Sequence, residues 1–168
     1  MNRKIAASIA GLAVVAAIGI ITVSTSHAQK VPQVTYTSIK GEQRSTDSFK
    51  GKVVLINFWA TSCTGCVKEM PKLVDTYNKF QARGYETVAV AMSYDSPNYV
   101  ANFTEQRKLP FFVALDTTGE IAQKFGGIQL TPTSILVDKN GQIIQRFIGE
   151  PDFAQLEALI ERKLKETA

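Results

Sequence analysis

An apolar run, VVLINFW, extends from Val53 to Trp59 and limits the folds that the chain can adopt. It is continuous and rich in β-branched residues, which is typical of a strand buried on both faces of a sheet. A segment with helical spacing of apolar residues follows, from Cys63 to about Arg83. Because a strand buried on both faces needs a layer on each side, this pair predicts a β-α unit within an α/β domain.

The same alternation continues along the rest of the chain and predicts one domain at residues 52–168. The predicted elements are strands at 86–93, 110–115, 133–138 and 142–149 and helices at 96–108, 119–126 and 152–166. Asn140-Gly141 between the last two strands predicts a tight hairpin turn. The order β-α-β-α-β-α-β-β-α predicts a central mixed sheet with helices on both faces.

Residues 29–51 are predicted to form a linker and an N-terminal hairpin. VTYTSI, residues 34–39, alternates apolar and polar side chains as a strand does. The turn-rich stretch KGEQRSTDSFKGK follows, so we expect a short hairpin or an edge strand that enters the domain.

Residues 1–28 have the pattern of an export segment. Arg3 and Lys4 precede an uncharged run of 19 residues, 5–23, and Ser26 and Ala28 are spaced as small residues around a signal-peptidase site. A cleaved signal peptide and a retained membrane anchor both remain open. The length of the run, close to the roughly 20 residues that span a bilayer, favours the anchor. In either case the bulk of the chain is predicted to lie outside the cytoplasm, in the periplasm or at the outer face of the membrane.

The charge of the chain gives no reason to expect a nucleic-acid partner. The formal net charge is +4, and without Arg3 and Lys4 the chain has 17 basic and 15 acidic residues. No run of basic residues accompanies this small excess.

The two cysteines of the chain, Cys63 and Cys66, lie where a predicted helix follows a predicted strand. The unpaired N–H groups and positive dipole end of a helix N-terminus stabilise a thiolate, so Cys63 is the expected nucleophile. Cys66 lies one turn later and can resolve a mixed disulfide. A disulfide that closes so small a loop constrains the unfolded chain little, so a structural clasp is disfavoured.

The same sequence disfavours a metal site. The only histidine, His27, lies in the export segment, and a second pair of soft ligands is missing, so a zinc site cannot be completed. Val67 rather than His follows Cys66, which excludes the haem-attachment motif, and the lack of histidine also excludes a Cys-His hydrolase.

Residues 52–163, with the preceding hairpin, resemble the thioredoxin superfamily and specifically the exported TlpA/ResA-type thiol–disulfide oxidoreductases. Two blocks carry the resemblance: FWAT, Cys-x-x-Cys and KEMP, and LTPTSILVDKNGQI about 65 residues later. The resemblance implies a thioredoxin-like fold and a disulfide reductase without a cofactor other than the Cys63–Cys66 disulfide. Implied partners are protein disulfides, often of apocytochrome c, and an upstream membrane thiol reductase as electron donor.

The resemblance also implies roles for individual residues. Pro132 corresponds to a cis-proline that faces the cysteines, and the backbone of Thr131 would pair with an incoming peptide. An ordinary trans proline that begins a strand is the alternative. Pro71 matches the proline that kinks the active-site helix. Trp59 matches an aromatic residue near the active site, and is expected to support substrate binding while it fills the core.

The sequence departs from the pattern of these relatives around the cysteines. Ser62 replaces a Trp common there, which puts substrate contacts in doubt, and Thr64-Gly65 lacks the usual proline. Asn57 stands where thioredoxins have a buried Asp, and it cannot take up a proton. Glu69 matches a glutamate of ResA-type proteins, so a raised pKa and proton transfer for Cys66 are expected of it. A solvated helix glutamate beside Lys68 is the alternative.

Three other functions remain as alternatives. The same fold supports a disulfide oxidant or isomerase. A thiol peroxidase is disfavoured because Ile56 stands where its signature requires a proline, seven residues before Cys63. A non-enzymatic metallochaperone would require a retained metal.

Overall fold

The computed structural model describes residues 29–167, which form a seven-stranded sheet and four α-helices. The strands are β1 (Thr35–Ser38), β2 (Gln43–Ser45), β3 (Val53–Trp59), β4 (Tyr85–Ala91), β5 (Phe112–Leu115), β6 (Thr133–Val137) and β7 (Ile143–Ile148). The helices are α1 (Thr64–Phe80), α2 (Pro97–Arg107), α3 (Glu120–Lys124) and α4 (Phe153–Lys165). Short 3-10 turns occupy Thr46–Phe49 and Gln81–Arg83.

The strands are arranged in the order β2-β1-β5-β4-β3-β6-β7. The central strands β3, β4 and β5 are parallel, whereas β6 and β7 on one side and β1 and β2 on the other are antiparallel to their neighbours. The predicted mixed sheet with a terminal hairpin is therefore confirmed. Strand β3 lies between β4 and β6, so the segment after it is at the middle of one sheet edge.

The side chains of β3 point alternately to the two faces of the sheet, so the core has two layers. Leu55 and Trp59 pack on the layer that contains α1, α2 and α4. Ile56 and Phe58 point to the opposite layer, which contains α3 and the N-terminal segment. Every residue of β3 is buried, as expected for a strand covered on both faces.

Most element ends differ from the prediction by one to three residues, and two of these differences have a clear physical reason. Helix α1 ends at Phe80, and a 3-10 turn continues to Arg83 before Gly84, whose φ of +92° reverses the chain at low cost. Strand β5 begins at Phe112, two residues after Pro110. A proline has no N–H to give to a sheet, so an interior strand does not include it readily.

The N-terminal part of the described chain is attached to the sheet. Strands β1 and β2 form the predicted hairpin. Before them, the Val31 N–H donates to the Gly141 carbonyl at 2.9 Å, and the Ile143 N–H donates to the Gln29 carbonyl at 2.8 Å. The chain therefore enters beside the β6–β7 turn.

The predicted apolar segment 5–23 lies outside the described residues. Within residues 29–167, no helix combines the length and the apolar character that crossing a membrane requires.

Candidate active site

Cys63 and Cys66 are joined by a disulfide at the start of α1, with their Cα atoms 5.3 Å apart. Cys63 is the N-cap residue, and its Sγ accepts a hydrogen bond from the Cys66 N–H at 3.2 Å. The Cys63 residue is partly exposed, whereas Cys66 has no exposed surface. The Cys63 sulfur can therefore meet a partner from solvent, whereas the Cys66 sulfur is shielded from it.

The loop between β3 and α1 is held by Thr61. Its backbone N–H donates to one oxygen of the Asp95 carboxylate at 2.5 Å, and its hydroxyl donates to the other at 2.6 Å. Asp95 is only 8% exposed and lies between β4 and α2. Two bonds to a charged acceptor fix the residue two positions before Cys63. Sequence reasoning missed this contact, because no local pattern links residues 34 positions apart.

The Thr131–Pro132 segment lies against the active-site turn. Its peptide bond is cis, and Pro132 is buried. A methyl group placed on Gly65 would lie 3.5 Å from Pro132 Cδ, so the dipeptide between the cysteines is in contact range of the proline. The antiparallel pairing of β3 with β6, with Phe58 opposite Thr133, brings the two sequence blocks together.

Glu69 is completely buried one helical turn after Cys66. Its Oε1 accepts a hydrogen bond from Asn57 Nδ2 at 2.9 Å, and the same amide nitrogen donates to Ser134 Oγ at 2.9 Å. Glu69 Oε2 and Asn57 Oδ1 have no hydrogen-bond partner among the described residues. This burial excludes the solvated alternative for Glu69.

Burial raises the pKa of Glu69 to about 7, since removal from water disfavours the charged carboxylate. The hydrogen bond from Asn57 opposes this rise in part, and the nearby charge of Glu150 adds to it. Asn57 thus orients the glutamate without itself exchanging a proton. The sequence analysis connected Asn57 and Glu69 through proton transfer. It did not identify Ser134 of β6, which accepts the second hydrogen bond from the Asn57 amide.

Trp59 lies in the core beneath the site. It has no exposed surface and packs on Phe103 of α2 with ring centroids 5.1 Å apart. Its side chain therefore supports the loop from below and does not reach the surface that a substrate would meet. Ser62, directly before Cys63, is exposed.

Residues 26–160 match the Redoxin family. The chain is 39% identical to the thiol-disulfide oxidoreductase ResA of Bacillus thuringiensis subsp. konkukian over 134 residues, which cover 80% of this chain and 76% of that protein. Identity to the ResA of Bacillus subtilis is 30% over 126 residues, covering 75% of this chain and 69% of that protein.

Solved structures show the same fold. A thiol:disulfide interchange protein of the thioredoxin family from Chlorobium tepidum superposes with a TM-score of 0.76 at 26% identity, covering 83% of this chain and 98% of that one. StoA from Bacillus subtilis superposes with a TM-score of 0.66 at 28% identity, covering 79% and 96%. With the Cys63–Cys66 pair at the start of α1, these similarities show that the chain belongs to the Redoxin family as a TlpA/ResA-like thiol–disulfide oxidoreductase of the thioredoxin superfamily.

Proposed function

We propose that this protein reduces disulfides of other proteins outside the cytoplasm. The observation that carries the proposal is the asymmetry of the cysteine pair: Cys63 is partly exposed at the N-cap of α1, and Cys66 is buried behind it. A nucleophile must meet its substrate, whereas a resolving thiol must be protected until the mixed disulfide has formed.

In the proposed reaction, the Cys63 thiolate attacks one sulfur of a substrate disulfide and the other substrate sulfur leaves as a thiolate. The Cys66 N–H, which already points at Cys63 Sγ, and the positive end of α1 stabilise the attacking thiolate. Cys66 then attacks Cys63 Sγ and releases the second substrate thiol. The substrate gains two electrons and the protein is left with the Cys63–Cys66 disulfide, which a dithiol donor must reduce before the next cycle.

Glu69 is proposed to take the proton from Cys66 in the second step. The two residues are three positions apart and therefore share one face of α1. A base is effective when its pKa lies near the working pH, and the value of about 7 for Glu69 meets this condition. We expect the resolution rate to rise with pH through about 7, and we expect Glu69→Gln to remove that inflection when resolution is followed by stopped flow.

Thr131 and Pro132 are proposed to position the substrate. Within residues 29–167, the Thr131 N–H and carbonyl take part in no backbone hydrogen bond, and the residue is partly exposed. An extended peptide could pair with these groups as an added strand, which would place its cysteine next to Cys63.

The proposed location and direction come from the sequence. The charge and apolar pattern of residues 1–28 supports export, with residues 5–23 retained as an anchor in the cytoplasmic membrane. Similarity to the exported reductases supports reduction of protein disulfides, with a membrane thiol reductase as electron donor.

The equilibrium reduction potential of the Cys63–Cys66 pair tests the direction. We expect a value below that of protein disulfide isomerase, about −180 mV, in glutathione or dithiothreitol buffers. A value near that of DsbA, about −120 mV, would make the protein an oxidant and refute the reductase assignment.

Variants of the cysteines test their roles. Cys63→Ser is expected to abolish insulin reduction, because no exposed nucleophile remains. Cys66→Ser should instead accumulate mixed disulfides, which mass spectrometry of acid-quenched reactions would detect. If Cys66→Ser turns over at the wild-type rate, the assignment of Cys66 as resolving thiol is wrong.

A further inference from the structure

Ser134 is a buried polar residue of β6 to which the proposed reaction gives no role. It has no exposed surface, and β6 is buried along its whole length. Strands β6 and β3 pair so that Ser134 lies directly opposite Asn57. The Ser134 Oγ accepts a hydrogen bond from Asn57 Nδ2 at 2.9 Å. A buried hydroxyl is costly unless it is hydrogen-bonded, so the bond to Asn57 stabilises Ser134 in the core and connects it with Glu69.

The Asn57 amide is held through its nitrogen. That nitrogen carries two hydrogens and lies 2.9 Å from both Ser134 Oγ and Glu69 Oε1, so each hydrogen has an acceptor. Within residues 29–167 the amide oxygen, Asn57 Oδ1, has no hydrogen-bond partner. The torsion that turns an asparagine amide has broad minima, so the rotamer alone does not fix the amide plane. The two bonds of the nitrogen therefore set the direction in which the amide points.

The direction of this amide decides which form of Glu69 is stabilised. In the described part of the chain, Glu69 Oε1 accepts a hydrogen bond from Asn57 and Glu69 Oε2 has no partner. If the amide turned, its oxygen would face the carboxyl group in place of its nitrogen. That oxygen cannot bond to a carboxylate, but it can accept a hydrogen bond from the O–H of the protonated acid. Loss of the present direction would therefore favour protonated Glu69.

The charged groups that act on Glu69 lie on two elements and oppose each other. Lys72 lies one turn further along α1, and Glu150 lies between β7 and α4. They form an ion pair, and their effects on the pKa of Glu69 have opposite signs. Strands β3 and β6 contribute the uncharged Asn57 and Ser134. Burial raises the pKa of Glu69 to about 7, and the hydrogen bond from Asn57 is the largest influence in the opposite direction.

We propose that Ser134 is a positioning residue for the second step of the reaction. It holds the Asn57 nitrogen toward Glu69 and so keeps a donor on the carboxyl group that takes the proton of Cys66. Ser134 acts through Asn57 and takes no part in the transfer of protons or electrons. The inference rests on the proposed function, and in particular on Glu69 as the proton acceptor.

The first measurement follows the two steps of one turnover in the full chain, reduced beforehand to the dithiol. The probe is the aromatic disulfide dithiobis(nitrobenzoate). Cys63 attacks it, forms a mixed disulfide and releases one thionitrobenzoate. Cys66 then attacks Cys63 Sγ, releases the second thionitrobenzoate and gives up its proton. Absorbance of the released thiolates in stopped flow yields the rate constant of each step from about pH 5 to about pH 9.

The second measurement follows Glu69 itself. NMR of carbon-labelled glutamate side chains in the oxidised protein gives the pH at which Glu69 ionises, independently of any reaction. We expect a midpoint of about 7 in the wild type. Ser134→Ala should raise this midpoint by about half to one pH unit, because the carboxylate loses part of its hydrogen bond. Near neutral pH the second step should slow about two- to fivefold, and the first step should keep its rate.

Two further variants separate the position of the hydroxyl from its mere presence in the core. Ser134→Thr keeps the hydroxyl and should keep the wild-type midpoint. Thr87→Val is the matched control, because Thr87 of β4 also has no exposed surface and its hydroxyl donates to the Tyr85 hydroxyl at 3.0 Å, outside this network. This variant should lose stability and keep the midpoint. Thermal unfolding checks that all the variants are folded.

An unchanged midpoint in Ser134→Ala, or an equal rise in Thr87→Val, would overturn the inference and leave the proposed function intact. A raised midpoint in Ser134→Ala without a slower second step would instead refute Glu69 as the proton acceptor, and with it the role of Ser134 in the reaction. Release of only one thionitrobenzoate by the wild type would refute Cys66 as the resolving thiol.

Discussion

Glu69 is a carboxyl group in the core, and its titration must therefore affect stability as well as catalysis. Its pKa is raised from 4.5 to about 7 by burial. Between these values the folded chain keeps a proton that the unfolded chain has released. The stabilising contribution of neutral Glu69 is thus complete below about pH 4.5, and it is lost as the pH rises through about 7.

Glu69→Gln should remove this dependence, because glutamine stays neutral. The difference in unfolding free energy between wild type and variant should change by about 3 kcal/mol from pH 4.5 to pH 7.5, with the wild type losing stability relative to the variant as pH rises. Urea unfolding of the oxidised proteins measures it. The matched control is Glu105→Gln, which removes an exposed carboxylate from α2. A difference between wild type and Glu69→Gln that is constant with pH would contradict the prediction.

At the level of the elements, α4 shares a core layer with α1, with buried apolar side chains beneath it and ion pairs to α1 and the turn after it at its edge. Leu156 and Ile160 of α4 have no exposed surface. At the edge, Lys79 pairs with Glu157 at 2.6 Å and Arg83 pairs with Glu161 at 2.7 Å. Exposed pairs contribute up to about 1 kcal/mol each, whereas a buried aliphatic side chain contributes about 2–5 kcal/mol. The apolar contacts should therefore dominate the stability of the packing.

Ile160→Ala and Glu161→Gln separate the two contributions. We expect Ile160→Ala to lower the unfolding free energy by about 2–5 kcal/mol, because it leaves a cavity under α4. Glu161→Gln should lower the unfolding free energy far less than Ile160→Ala does, since both partners of the ion pair are exposed. Chemical denaturation at low and high salt measures the loss of unfolding free energy in both variants. Only the loss in Glu161→Gln should become smaller at high salt, because salt screens exposed charges. An equal or larger loss in Glu161→Gln would show that the ion pair holds α4.

The elements near the site were predictable because their signals are local. The apolar patterns of the sequence predicted β3 and α1, as the structure confirms. The complete burial of Glu69 was harder to predict. Glu69 lies three residues after Cys66 and four before Leu73, which puts it on the buried side of α1. That position favours burial, but a charged side chain usually argues against it.

Contacts between loops could not be predicted in the same way. The bonds from Thr61 to Asp95 and the approach of Tyr94 to Thr131 join residues 34 and 37 positions apart. Each lies beyond the end of a strand, where periodicity gives no direction for a side chain. The fold decides these contacts, because it places the ends of β3, β4 and β6 at one edge of the sheet.

At the scale of the whole molecule, the cysteines and the entry of the chain are at opposite ends of the sheet. Cys63 follows the carboxyl end of β3, next to Thr133 at the start of β6. Gln29 and Val31 are bonded to the turn beyond the other end of β6. The described chain therefore enters the domain at the end of the sheet opposite Cys63.

Both export and anchoring can be tested with one labelling experiment, because the chain's two cysteines are both in the site. Intact spheroplasts that express the full chain are treated with a mild reductant and then with a membrane-impermeant maleimide. We expect labelled protein in the membrane fraction with Met1 at its N-terminus. The variant with both Cys63→Ser and Cys66→Ser is the control for background. Soluble labelled protein that begins at Gln29 would refute the anchor and keep export, whereas labelling only after lysis would refute export itself, because the reagent reaches the cytoplasm only when the membrane is broken.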